Sequence, residues 1–337
     1  MDYRLFRKVS ASTASLVPAI LTLFGGPIHV ARGQALQPWR HAIVEEKGDA
    51  GIVLMAGEPA IASRHGLNID YVPLKVDSLA LKALLAGQVD SFEGSPGGAI
   101  IAASRGADLK VLGCYWPTLS YGIFTAKTVT SLEQLKGKAF SIASPGSLPD
   151  LVTRAVLQEN GISANEVGFA ATGGDTDRFR FLETGMVGAA ALSTEFVPAA
   201  AQHGLKLLVD GRTQLPNYLR LCTYVTGAGL KRRHDATVAF LASQMDGVRY
   251  AQLHREETIA LTRRALNVDP SDPRPSYVYD EAIKDNLLDP TMQSPAAKLE
   301  WMQNLLKTTG NLTDSFDIHE MLDASIRIEA QKQTFIK

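Results

Sequence analysis

Seven short stretches of the chain carry the residue types that recognise small polar molecules. They are Gly48-Asp49, Asp77-Ser78, Gly94-Ser95, Tyr115-Trp116, Ser144-Pro145-Gly146-Ser147, Gly174-Asp175 and Thr194-Glu195. The chemistry on offer is binding, with no catalytic site among them. Carboxylates and hydroxyls supply hydrogen bonds, and Tyr115 and Trp116 supply flat faces for a planar ligand. The sharpest stretch is SIASPGSLPDLVTRAV, residues 141–156. An apolar run breaks into small residues, and a helical pattern starts at Ser147 with Asp150 three positions on, which marks an N-cap. Backbone N–H groups at such a corner can hold an anion.

Each stretch also has a plainer reading. Ser78 and Ser147 cap helices, Gly173-Gly174 makes a turn, and Asp49, Asp77, Asp175 and Glu195 are solvated or helix-capping carboxylates. Trp116 either packs on a hinge or stacks on a ligand. The functional reading rests on the set, because every stretch follows a predicted strand. Strands are expected at 41–45, 68–72, 89–92, 109–113, 121–125, 139–143, 167–171, 187–192 and 206–209. Helical patterns separate most of them, at 50–64, 78–86, 97–104, 149–159, 177–184 and 195–202. Such alternation predicts an α/β fold with mostly parallel sheets covered by helices. In such sheets ligands sit beyond the carboxyl ends of the strands, which is where the seven stretches fall. From about residue 231 the pattern is helical, with helices expected at 236–254, 255–266, 276–286, 294–308 and 317–333. One internal echo, LLAGQVD (84–90) against FLETGMVGA (181–189), repeats a helix end, a glycine stop and a buried strand at an offset of 98.

The 337 residues are 45% hydrophobic and 20% charged, enough for two lobes, and the net charge of −1 gives no basic surplus for nucleic acid. The chain opens with Arg4, Arg7 and Lys8, an uncharged run from 9 to 24, and Gly33-Gln34-Ala35. That is the pattern of a secretory signal peptide, with cleavage expected near Ala35 and a periplasmic destination. Two cysteines, Cys114 and Cys222, are too few for a multi-cysteine metal site. An oxidising compartment permits one disulfide between them, and free buried thiols are the default expectation. No metal or cofactor is expected.

The segments GLNI (66–69), LLAGQVD (84–90), GSP (94–96), SLEQLKGK (131–138) and PGS (145–147) resemble the periplasmic substrate-binding proteins of ABC importers. The similarity is to the nitrate/sulfonate/taurine class, which shares its fold with the NMT1/THI5-like proteins, and it covers about residues 40–310. It implies a two-lobe type II periplasmic-binding-protein fold. Two crossings would join the lobes, one leaving at 121–126 and one returning at 221–226. Lobe 1 is then 36–118 plus 226–337, and lobe 2 is 119–225. Two departures stand out: Gly188 replaces the second-lobe counterpart of Asp90, and Glu46-Lys47-Gly48-Asp49 lacks the usual approach to the first helix. The resemblance implies a monomer that closes on a small-molecule ligand and presents it to permease subunits in the inner membrane.

For the ligand, a sulfonate, aromatic carboxylate or related anion would use the 144–147 corner. A pyrimidine or other nitrogen heterocycle would use the carboxylates and Trp116. Lys47, Lys75 and Arg178 are the cations near these loops. An enzyme or a sensor on the same scaffold is the alternative role. Enzymes of that superfamily use a cysteine-rich motif, which this chain lacks, and its seven histidines are scattered, with His41 nearest the loops.

Overall fold

The computed structural model describes residues 35–313 and 316–336. The expected signal peptide, apart from Ala35, lies outside the described residues. Ten strands among them form two five-stranded sheets. The first contains β1 (Gln37–Val44), β2 (Leu67–Leu74), β3 (Ser91–Gly94), β4 (Leu109–Trp116) and β10 (Leu221–Thr226) in the order β2-β1-β3-β10-β4. The second contains β5 (Tyr121–Ala126), β6 (Ala139–Ile142), β7 (Gly168–Ala171), β8 (Ala189–Ser193) and β9 (Leu205–Asp210) in the order β7-β6-β8-β5-β9.

The two sheets share one plan. Three strands run parallel, and an antiparallel strand follows: β10 lies between β3 and β4, and β5 lies between β8 and β9. The expected α/β class is present, with helices around both sheets. The segments expected as crossings, 121–126 and 221–226, are themselves sheet strands. The chain passes between sheets just before each, at 117–120 and 211–220. The internal echo lies at equivalent places, because its two glycine stops, Gly87 at φ 69° and Gly185 at φ 71°, precede β3 and β8. A left-handed residue there ends the helix and aims the chain into the sheet.

Buried strands read as continuous apolar runs when helices cover both faces. β8, with sequence AAALS, is buried at every position. Its small side chains let the Leu148–Glu159 and Asp175–Glu183 helices lie close to the sheet. On the first sheet, Trp39 stacks on Phe240 of the His234–Leu253 helix at 4.9 Å between ring centroids. The Ala296–Thr308 helix packs against Pro96–Ser104 and Leu148–Glu159, so one apolar core runs between the two sheets.

Three expectations change. The single helix expected at 50–64 is broken into Ala50–Leu54, Pro59–Ala62 and two short 3-10 turns. Pro59 has no N–H, and Glu58 before it is extended at φ −59°, ψ 133°. The helix expected at 317–333 is a 3-10 turn, Ile318–Met321, followed by Ala324–Lys332. Cys114 and Cys222 are joined as a disulfide and are not free thiols. They lie on neighbouring antiparallel strands, β4 and β10, at an irregularity in the pairing.

Candidate functional site

The loops that follow β1, β2 and β3 in the first sheet face those that follow β6, β7 and β8 in the second, together with the start of the antiparallel strand β5. They enclose a cavity of about 60 Å³ whose walls include Lys47, Asp49, Asp77, Ser95, Gly174 and Arg220. Four polar contacts bridge the cleft beside it. Lys47 Nζ lies 2.6 Å from Asp175 Oδ2 and donates to the Tyr121 hydroxyl at 2.9 Å. Gly48 N–H donates to Glu195 Oε2 at 2.5 Å, and the Thr194 hydroxyl donates to Glu281 Oε2 at 2.6 Å. Glycine leaves room for the carboxylates that reach across here. A Cβ on Gly48 would collide with the Glu195 carboxylate, and one on Gly174 with Glu45.

Asp175 is the hub of the second-sheet side. It accepts from the Tyr121 hydroxyl at 2.5 Å and pairs with Arg178 as well as Lys47. Burial alone would raise its pKa, but the two cations outweigh burial and hold the carboxyl well below its ordinary range. Lys47 answers in kind: burial would lower it, and Asp175 raises it. Arg178 also donates to the carbonyls of Ala191 and Gly173, which fixes its fork. On the first-sheet side, Arg220 donates to Asp49 and lies over the Trp116 ring at 4.0 Å. Burial, followed by the Asp175 and Asp49 carboxylates, pushes Glu195 up to about 7.

The cavity floor comes from β3 and the turn after it. Glu93, 3% exposed, accepts the Tyr115 hydroxyl at 2.9 Å on both oxygens and faces His41 Nε2 at 3.4 Å. His41 Nδ1 and Ser91 Oγ lie 2.7 Å apart, and Trp39 Nε1 donates to the same hydroxyl at 2.8 Å. A buried polar chain thus runs from the cavity into the first sheet. Asp77 starts the Asp77–Leu85 helix and accepts from Ser95 N–H at 3.1 Å. Burial raises its pKa against that hydrogen bond. Gly94 leaves room for it, since a Cβ there would collide with Asp77 Oδ1.

The structure brings together most, but not all, of the residues singled out in the sequence. Asp49, Asp77, Ser95 and Gly174 line the cavity, and Gly48, Asp175, Thr194 and Glu195 bridge the cleft. Gly94 and Tyr115 support its floor. Trp116 is fully buried beneath Arg220, so the hinge-packing reading describes its place and no face is open for stacking. Ser78 is exposed and outside the cavity wall.

The 144–147 corner is occupied by the chain itself. Gly146 N–H donates to Asp150 Oδ2 at 2.7 Å, and Arg154 Nε donates to the other oxygen at 2.8 Å. Ser147 Oγ donates to the Ser144 carbonyl at 2.6 Å and accepts from Ser144 N–H at 3.2 Å, with no side-chain cap to the helix. The corner's negative partner is therefore Asp150. Sequence reasoning passed over Glu93, Tyr121 and Arg220. Glu93 had a signal, a lone charge in an apolar strand. Arg220 had none, because 211–220 shows no periodicity.

Among the described residues no group of histidine, cysteine and carboxylate side chains could hold a metal ion. No described helix is long and apolar enough to cross a membrane.

The NMT1/THI5-like family model matches residues 63–258, more than half of the chain. The chain belongs to the NMT1/THI5-like family. No curated protein matches it in sequence. Solved structures share the fold of this NMT1/THI5-like chain at low identity. The periplasmic aliphatic sulphonate binding protein SsuA from Escherichia coli is 20% identical, with a TM-score of 0.70 over 87% of this chain and 99% of its own. The alkanesulfonate-binding protein SsuA from Xanthomonas axonopodis pv. citri, bound to MOPS, is 16% identical, with a TM-score of 0.71 over 85% and 98%. The periplasmic nitrate-binding protein NrtA from Synechocystis PCC 6803 is 13% identical, with a TM-score of 0.72 over 88% and 89%. The fold is that of periplasmic binding proteins, and these neighbours are named as binding proteins.

Proposed function

We propose that this protein is an exported solute receptor that captures a small organic ligand between two lobes and delivers it to the permease of an ABC importer. The lobes divide at the crossings, 117–120 and 211–220. The observation that carries the reading is the cleft: loops from both sheets meet around one enclosed cavity, bridged by Lys47–Asp175 and Gly48–Glu195. Such an arrangement suits a trap. A ligand that contacts both sides shifts the population toward the shut form, and the permease reads lobe surfaces that only this form presents. The protein acts as a monomer and performs no chemistry on its ligand. Signal-peptide cleavage near Ala35 leaves the receptor outside the inner membrane.

The test is expression of the full chain in a Gram-negative host. The mature protein is expected in the periplasmic fraction with Leu36 or a near neighbour as its first residue. Mass spectrometry after denaturation is expected to release one small molecule per chain. A cytoplasmic protein with an intact N-terminus and nothing bound would refute the reading.

A further inference from the structure

The charges around the cavity do not balance. Three buried or half-buried cations face it, Lys47, Arg178 and Arg220, and each is already engaged: the first two with Asp175, the third with Asp49. Lys75 also lines the cavity but is exposed. Four carboxylates in the same wall have no lysine or arginine within ion-pair distance among the described residues: Glu45, Glu46, Asp77 and Glu93. Asp77 has no basic group within ion-pair distance among the described residues, and Glu93 has only the buried imidazole of His41. Asp77 has the Ser95 N–H and Glu93 the Tyr115 hydroxyl, but a carboxylate shut in without a cation is costly, so these two describe what is missing from the cavity.

A second observation concerns the opposite chemistry. Arg220 is 4% exposed and lines the cavity, and its Nη1 has no hydrogen-bond partner among the described residues. Its Nη2 is held by Asp49 and its plane by Trp116, so the guanidinium cannot turn to satisfy the free arm elsewhere. An unsatisfied guanidinium N–H calls for an acceptor oxygen.

Resting on the receptor reading, we propose that the ligand is a small molecule that presents a cationic or N–H-bearing nitrogen to Asp77 and Glu93 and an acceptor oxygen to Arg220 Nη1. A bare oxyanion does not complete this site. It would satisfy Arg220 and set a further negative charge beside Asp77 and Glu93. The corner at 144–147 offers no alternative seat, because Asp150 fills it. Burial raises the pKa of Asp77 over the opposing pull of Ser95 N–H, Lys47 and Arg178, as expected of a carboxyl whose nearby cations are engaged elsewhere.

The experiment is a thermal-shift and calorimetric comparison on the full-length protein with two probe sets. Nitrate and butane-1-sulfonate are the oxyanions; 4-aminobutyrate and cytosine carry both a nitrogen donor and an acceptor oxygen. At least one nitrogen-bearing probe is expected to raise Tm and to bind with a measurable Kd. Asp77→Asn and Glu93→Gln are each expected to weaken that probe by roughly 10- to 100-fold, the loss of one hydrogen bond to a charged group. Should Glu93→Gln fail to fold, Asp77→Asn, on the first turn of an intact helix, decides alone. A shift from nitrate or butane-1-sulfonate without one from the nitrogen probes overturns the inference and leaves the receptor reading in place. A flat response to all four probes overturns it too, and the released-ligand measurement then judges the receptor reading separately. Nitrogen-probe binding unaltered by both substitutions would also overturn it.

Discussion

Glu195→Gln isolates one charge in the cleft. Glu195 is 2% exposed, accepts from Gly48 N–H, and is pushed up to about 7 by burial and by the Asp175 and Asp49 carboxylates. In the unfolded chain the same carboxyl titrates near 4.5. Between these values the folded form binds the proton more tightly, so its stability falls as pH rises through the window. The contribution is fully present below about 4.5 and lost above about 7. At about 1.4 kcal/mol for each pH unit, the ceiling is roughly 3 kcal/mol. For a chain of this size that corresponds to about 5 °C in Tm. Glutamine keeps a carbonyl oxygen for Gly48 N–H and cannot ionise. The variant is therefore expected to match the parent at about pH 4.5 and to be more stable at about pH 8, with a shallower slope between. Asp77, raised in the same direction, leaves part of the slope in both proteins. Scanning calorimetry across this range makes the comparison. Parallel curves, or a variant less stable than the parent at high pH, would show that Glu195 is held ionised in the folded protein.

Three further outcomes follow from the same contacts. Arg220→Met is expected to cost about 3–5 kcal/mol, because it leaves Asp49 buried and unpaired, and the double variant with Asp49→Leu should recover much of that loss in chemical denaturation. Replacing Cys114 and Cys222 by alanine is expected to lower stability by as much as roughly 4–5 kcal/mol, the chain-entropy value for a loop of about this length; a reducing agent should lower Tm in the parent and have no effect on the variant. Gly94→Ala is expected to displace the Asp77 carboxylate and weaken ligand binding while leaving secondary structure intact, as judged by titration calorimetry and circular dichroism. Unchanged affinity would place Asp77 outside the site.

The sequence revealed the frame of this protein better than its interior. Alternation of apolar runs and helical patterns located the strands, and the echo of Gly87 in Gly185 exposed the repeated plan of the two sheets. The loops at strand ends named Asp49, Asp77, Gly174, Asp175 and Glu195 because topology alone sends such loops to one edge. What escaped depends on contacts between distant residues. The 144–147 corner has the form of an anion cradle, and only the folded turn shows Asp150 reaching back into it. Trp116 carries no local mark of lying under Arg220, 104 positions later in the chain. The cysteine pair is silent for the same reason, since strand order, not spacing, brings β4 and β10 together.

The threading of the chain also sets an order of assembly. Every strand of the second sheet comes from one contiguous stretch, residues 121–210, so it can form from local chain. The first sheet cannot be completed that way. Its fourth strand in sequence order ends at residue 116, yet the slot between β3 and β4 is filled by residues 221–226. Bringing so distant a segment home carries a long loop-closure cost and slows that step. Until it arrives, β3 and β4 present unpaired edges, and both are almost wholly buried in the finished protein. An open slot between two apolar strands is a template for a strand from another copy. The late seating of 221–226 is thus the moment at which newly made chains are most exposed to misassembly, and concentration during refolding is the variable that should govern yield.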